Sequence, residues 1–75
     1  MKMLARLRYV LEEGFEVAML SGYDAPFGSE ELGMARMTYV EVMVDGSRRM
    51  VTEEFQVTEV EMELCSRLFL ESRSS

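Results

Sequence analysis

Histidine does not occur anywhere in the 75 residues. Its absence removes Ser-His and Cys-His nucleophile systems, imidazole general bases and the commonest zinc and iron ligand together. Cysteine occurs once, as Cys65, so neither an internal disulfide framework nor a multi-cysteine metal site can be assembled. A lone thiol fits a reducing, cytoplasmic setting. Long apolar runs are missing as well. Arg6 and Arg8 break the first segment, and Glu12, Glu13 and Glu16 break the next, so neither a signal peptide nor a membrane span is expected. Positive charge is scarce: eight basic residues stand against fourteen acidic ones, for a formal charge of -6. That balance repels phosphate backbones and argues against direct nucleic-acid binding.

What the chain does have is apolar content. Hydrophobic residues make up 48% and include eight methionines, enough to exclude disorder from lack of core material. One small domain, residues 1-75, is expected, near the size below which a chain struggles to stay folded without disulfides or metals. Burial against a partner, either another protein or a second copy, would relieve that shortage.

The first twenty residues support two readings. On a helix, Leu4, Leu7, Leu11, Phe15 and Ala18 share one side at steps of three and four. On strands, Met3, Ala5, Leu7, Tyr9 and Leu11 alternate, a Glu12-Glu13-Gly14 loop follows, and Phe15, Val17 and Met19 resume the alternation. The hairpin is the expected form. A continuous helix would carry Gly14 in its interior, and its arginines and glutamates would oppose the helix dipole. A third form, a helix to about residue 13 capped by Gly14 and followed by a strand from Phe15, stays open because glycine is a favoured helix terminator.

Residues 21 to 35 hold Gly22, Pro26, Gly28 and Gly33 with Asp24 and Ser29, and read as a loop or crossover, with one capped helical turn possible at Ser29-Glu30-Glu31-Leu32. Met37 to Val44 and Arg48 to Val57 are strand-like and flank Asp45-Gly46, a strong hairpin signal. A Val44-Asp45-Gly46 loop places Glu41 opposite Arg49, Val40 opposite Met50 and Thr38 opposite Thr52. Thr58 and Glu61 have capping-box spacing ahead of Val60, Leu64 and Leu68, which predicts a helix over about 59–71 with Ser72 to Ser75 frayed. The expected fold is therefore α+β: a small antiparallel sheet of two hairpins with a C-terminal helix on one face. The alternative is an N-terminal helix, a three-stranded sheet and the same C-terminal helix.

No constellation in the chain points to catalysis, so the expectation is a non-enzyme without cofactor or metal. Cys65 sits among acidic and apolar helix residues that disfavour a thiolate, and reads as a small buried hydrophobe. The pairs Glu12-Glu13, Glu30-Glu31 and Glu53-Glu54 suit solvated turns and edges, since neighbours on a strand point to opposite faces. Asp45-Gly46-Ser47 lacks the spaced ligands of a calcium loop, and no glycine run forms a phosphate loop. Arg6, Arg8, Arg48 and Arg49 read as charges closing an exposed sheet face.

Two features point toward binding. Methionine is frequent and suits adaptable interaction surfaces. The long connection carries Tyr23 and Phe27, either as a lid or as anchors for a partner. Glu53, Glu54, Glu59, Glu61 and Glu63 lie in a window without a single base. These seven residues are the candidate partner-binding set. The function they suggest is a protein-binding regulator or inhibitor presenting acidic surface to a basic site on a larger protein. The alternative is a structural or assembly subunit acting as a homodimer. Both faces of the second hairpin carry apolar residues, Val40, Val42 and Val44 on one and Tyr39 and Met43 on the other, so one face lacks a cover.

Overall fold

The structure, a computed structural model, describes residues 1–22 and 32–74. The elements run α1 (Lys2–Glu12), β1 (Glu16–Gly22), β2 (Gly33–Val42), β3 (Arg48–Val57) and α2 (Glu59–Arg73). The strands form one antiparallel sheet in the order β1-β2-β3. This is the α+β fold in the alternative form, with a helix where the first strand of an N-terminal hairpin was expected.

That first segment is a helix because it buries a helical stripe. Met3, Leu4, Leu7 and Val10 are all buried, at steps of one, three and three, which a strand would split between two faces. Gly14 is no burden, since it lies past the helix end with φ +78°. The Gly14 N–H donates to the Leu11 carbonyl at 3.1 Å and the Phe15 N–H to the Val10 carbonyl at 3.0 Å. Together these two bonds form a Schellman stop. The Phe15 ring then meets Tyr9 edge-on, centroids 6.4 Å apart, which fixes the direction in which the chain leaves for β1. Alternation in the sequence mimicked a hairpin because Leu7 and Leu11 fit either period.

The second hairpin forms in the expected register, with Thr38 opposite Thr52, Val40 opposite Met50 and Glu41 opposite Arg49. Its loop closes through Gly46 N–H to Met43 O (2.9 Å) and Met43 N–H to Ser47 O (2.8 Å). Asp45 accepts from the Ser47 N–H and hydroxyl, and these bonds hold its carboxyl below the usual range. Gly46 has φ +87°, a region that costs a side chain about 1–2 kcal/mol. A Gly46→Val variant is expected to lose about 2 kcal/mol, since β-branching adds to that cost, read as a lower denaturation midpoint. An unchanged midpoint would contradict this loop.

Both helices lie on one face of the sheet. Ala35, Met37 and Tyr39 of β2 enter the core with Leu4, Leu7 and Val10 of α1 and Cys65 of α2, while Val17, Leu20, Val51 and Phe55 pack around them. α2 begins at Thr58, whose hydroxyl accepts the Glu61 N–H at 3.1 Å. The reciprocal half of a capping box is missing. The Glu61 carboxylate instead crosses to α1 and accepts the Leu4 N–H at 3.2 Å. α1 has no side-chain cap of its own, so a carboxylate from the last element completes its first turn. The helix dipole, which Arg6 and Arg8 oppose locally, is met there by an acid.

Candidate functional site

The opposite face of the sheet is the candidate interaction surface. Side chains alternate along a strand, so the residues of β2 that do not enter the core point away from both helices. These are Met34, Arg36, Thr38, Val40 and Val42, flanked by Met19 of β1 and by Met50, Thr52 and Glu54 of β3 through the observed pairings. A bulge between Val17 and Met19 keeps Val17 on the core side while Met19 lies beside Thr38 on the open side. Met50 is 70% exposed, and Met19, Met34 and Val42 are exposed too. No described helix or strand covers this face.

Several of its polar groups pair with one another, while Glu16 beside Val40 and Arg48 beside Val42 have no partner among the described residues. Thr38 and Thr52 hydroxyls share a hydrogen bond of 3.0 Å at its centre. Arg36 donates to Glu54 at 3.0 Å. The result is apolar surface with methionine as its dominant large side chain, interrupted by these polar pairs and bordered by the charges of Glu16 and Arg48. Toward the end of β1 the face runs into an open depression of about 410 Å³, bordered by Ser21, Met34, Arg36 and Glu54.

The glutamates expected to form one acidic surface are distributed among different jobs. Glu61 is only 4% exposed and serves α1. Glu53 is half-buried on the helix side, where it accepts the Tyr39 hydroxyl at 2.6 Å and pairs with Arg6 at 3.5 Å. Glu54 is bound to Arg36 on the open side, and Glu63 to Arg67 one helical turn away at 3.0 Å. Glu59 is exposed in the first turn of α2, where its charge suits the helix start. Glu59 and Glu63, four residues apart, share one face of α2, whereas Glu53, Glu54 and Glu61 are directed elsewhere, so the five do not form one surface. Tyr23 and Phe27 lie outside the described residues, as does most of the Ser29-Glu30-Glu31-Leu32 turn.

The buried ionisable groups are structural in character. Burial, reinforced by the hydrogen bond to Glu53 and by its charge, pushes the Tyr39 phenol up to about 12. Burial and the negative charge of Glu61 push the Cys65 thiol up to about 11. Cys65 is fully enclosed, so at pH 8 the folded chain is expected to react with a disulfide reagent far more slowly than the denatured chain. Equal labelling rates for folded and denatured chain would contradict its burial. Among the described residues no group of three Cys, Asp or Glu side chains is placed to hold a metal ion. No described helix is long and apolar enough to cross a membrane.

The open face was half visible in the sequence. Val40 and Val42 signal a second apolar side to the hairpin, whereas plain alternation puts Met19 on the side of Val17, and the bulge that turns it to the open side cannot be read from alternation. Comparison with known proteins identifies no family: no protein-family model matches the chain, no curated protein matches its sequence and no solved structure matches it.

Proposed function

We propose that the chain is a non-enzymatic protein-binding module, a regulator or inhibitor working in the cytoplasm, that engages an apolar segment of a larger protein with the open face of its sheet. The observation that carries this reading is the exposed strip of Met19, Met34, Val42 and Met50 beside the partly buried Val40, which no described helix or strand covers. Apolar faces of this kind mark interaction sites when contiguous, and methionine adapts to partners of varied shape. Charge takes a smaller part than composition implied, because Glu53 and Glu61 are committed inside the fold. The enclosed, unpaired thiol supports a reducing setting.

Salt separates apolar recognition from acidic recognition. A partner held by the open face stays bound as ionic strength rises, whereas one held by Glu54, Glu59 and Glu63 is released. Met19→Lys and Val42→Lys place charges on the exposed face without touching the core, so the chain should fold as before and lose the partner. Retention by both variants, or release by salt alone, would reject the open face as the binding surface.

A further inference from the structure

The outer edge of the sheet carries a charge pattern that matches itself. Among the described residues β3 has β2 on one side only, and it reads Arg48-Arg49-Met50-Val51-Thr52-Glu53-Glu54. Because the Met43 N–H bonds the Ser47 carbonyl, hydrogen-bonded and non-bonded pairs alternate from there, and Arg48, Met50, Thr52 and Glu54 turn their N–H and C=O groups to the free edge. An edge of this length is a template for another strand. Among the described residues Arg48 has no ion-pair partner, whereas Arg49 reaches Glu41 at 2.9 Å.

We infer that two copies of this chain pair antiparallel along β3, with the two-fold axis through Val51, joining their sheets into one of six strands. The register follows from charge. Opposite residues in an antiparallel pair share a face, so the axis of a continuous sheet must pass through a residue and not between two. On Val51 it sets Arg48 opposite the second copy's Glu54 on the open side, and Arg49 opposite its Glu53 on the helix side. Each arginine then faces a carboxylate: Arg48 gains its first partner, while Arg49, Glu53 and Glu54 keep their pairs with Glu41, Arg6 and Arg36 within the chain. An axis on Thr52 places Val51 against Glu53 and Met50 against Glu54, one on Glu53 opposes two carboxylates, and one on Met50 leaves every charge unmatched. Opposite charges across a strand pair stabilise it and like charges destabilise it. Both helices of each copy stay on one side of the joined sheet, with α1 lying beside β3, where Arg6 reaches Glu53. This association is independent of the open-face binding proposed above.

Sedimentation equilibrium at about 100 micromolar, a concentration that detects weak association, should report a dimer. Arg48→Glu opposes two carboxylates twice across the axis and should weaken association at least about tenfold. Glu54→Arg should do the same with like charge of the other sign. Mixing the two variants matches every pair again, and a mixed dimer should form with wild-type strength. Met50→Pro removes an edge N–H while leaving the bonds to β2 in place, and should also yield monomer. Circular dichroism verifies that each variant is folded. A monomeric wild type overturns the proposal; so does a dimer untouched by Arg48→Glu, or a mixture that fails to associate.

Discussion

Replacing Tyr39 with alanine is expected to destabilise the protein by about 3–5 kcal/mol, the range for emptying a large aromatic site in a core. Tyr39 is the largest fully buried side chain, at 2% exposure, and stands on the middle strand between Val17 and Val51. Its hydroxyl also holds Glu53, which in turn holds Arg6 of α1, so one residue supplies both core volume and a polar tie between layers. Tyr39→Phe separates the two and should cost about 1.5–3 kcal/mol, the range for a hydrogen bond to a charged group. The raised phenol also gives the stability a direction in pH. A group whose proton is held more tightly in the folded chain stabilises it fully below the ordinary tyrosine value of 10.0 and loses that contribution as pH climbs toward about 12. Between pH 10 and 12 the wild type should therefore lose stability faster than Tyr39→Phe, measured by urea titration at each pH. Parallel losses would place the alkaline weakness elsewhere.

Glu61→Ala should cost about 2–3 kcal/mol, which is large for a residue whose type is usually found in water. The substitution strips the Leu4 N–H of its acceptor inside a buried site and leaves unfilled space, and an unsatisfied buried donor costs about 1–3 kcal/mol. Glu61→Gln keeps an acceptor oxygen and removes the charge that faces the start of α1. It should fall between wild type and alanine. Loss of helical signal from α1 ahead of global unfolding, followed by amide exchange at Leu4, would place the damage at the shared contact. A midpoint unchanged in both variants would show that the bond contributes nothing.

Much of the chain from Met37 onward was legible in the sequence. Asp45-Gly46 named its turn, Thr58 named the start of α2, and the pairings across the hairpin followed by counting. These signals are local, each set within a few residues. The first segment was harder because its decisive partner is distant. Arg6 and Arg8 argue against a helix when only neighbours are weighed, and the opposing carboxylate is Glu61. The same residue misled the functional reading: within its own window it is one more acid in a base-free stretch, and only the packing of α2 on α1 takes it from the surface. Glu53 followed the same course once Tyr39 lay beneath it. Acidity read along the chain overstated acidity available to a partner.

The contact between Glu61 and Leu4 spans a sequence separation of 57 residues, and that distance bears on the order in which the structure forms. α1 is a short helix with arginines near its start and no side-chain cap of its own, so the segment has little reason to hold a helix early, when only local interactions are present. The β2–β3 hairpin needs nothing beyond its own turn and cross-strand pairs. Folding that begins at Asp45-Gly46 and docks the two helices afterwards leaves α1, which precedes the hairpin in the chain, waiting for α2, which follows it. The contact order this implies sets a slower folding rate than so small a chain with so much helix would otherwise show.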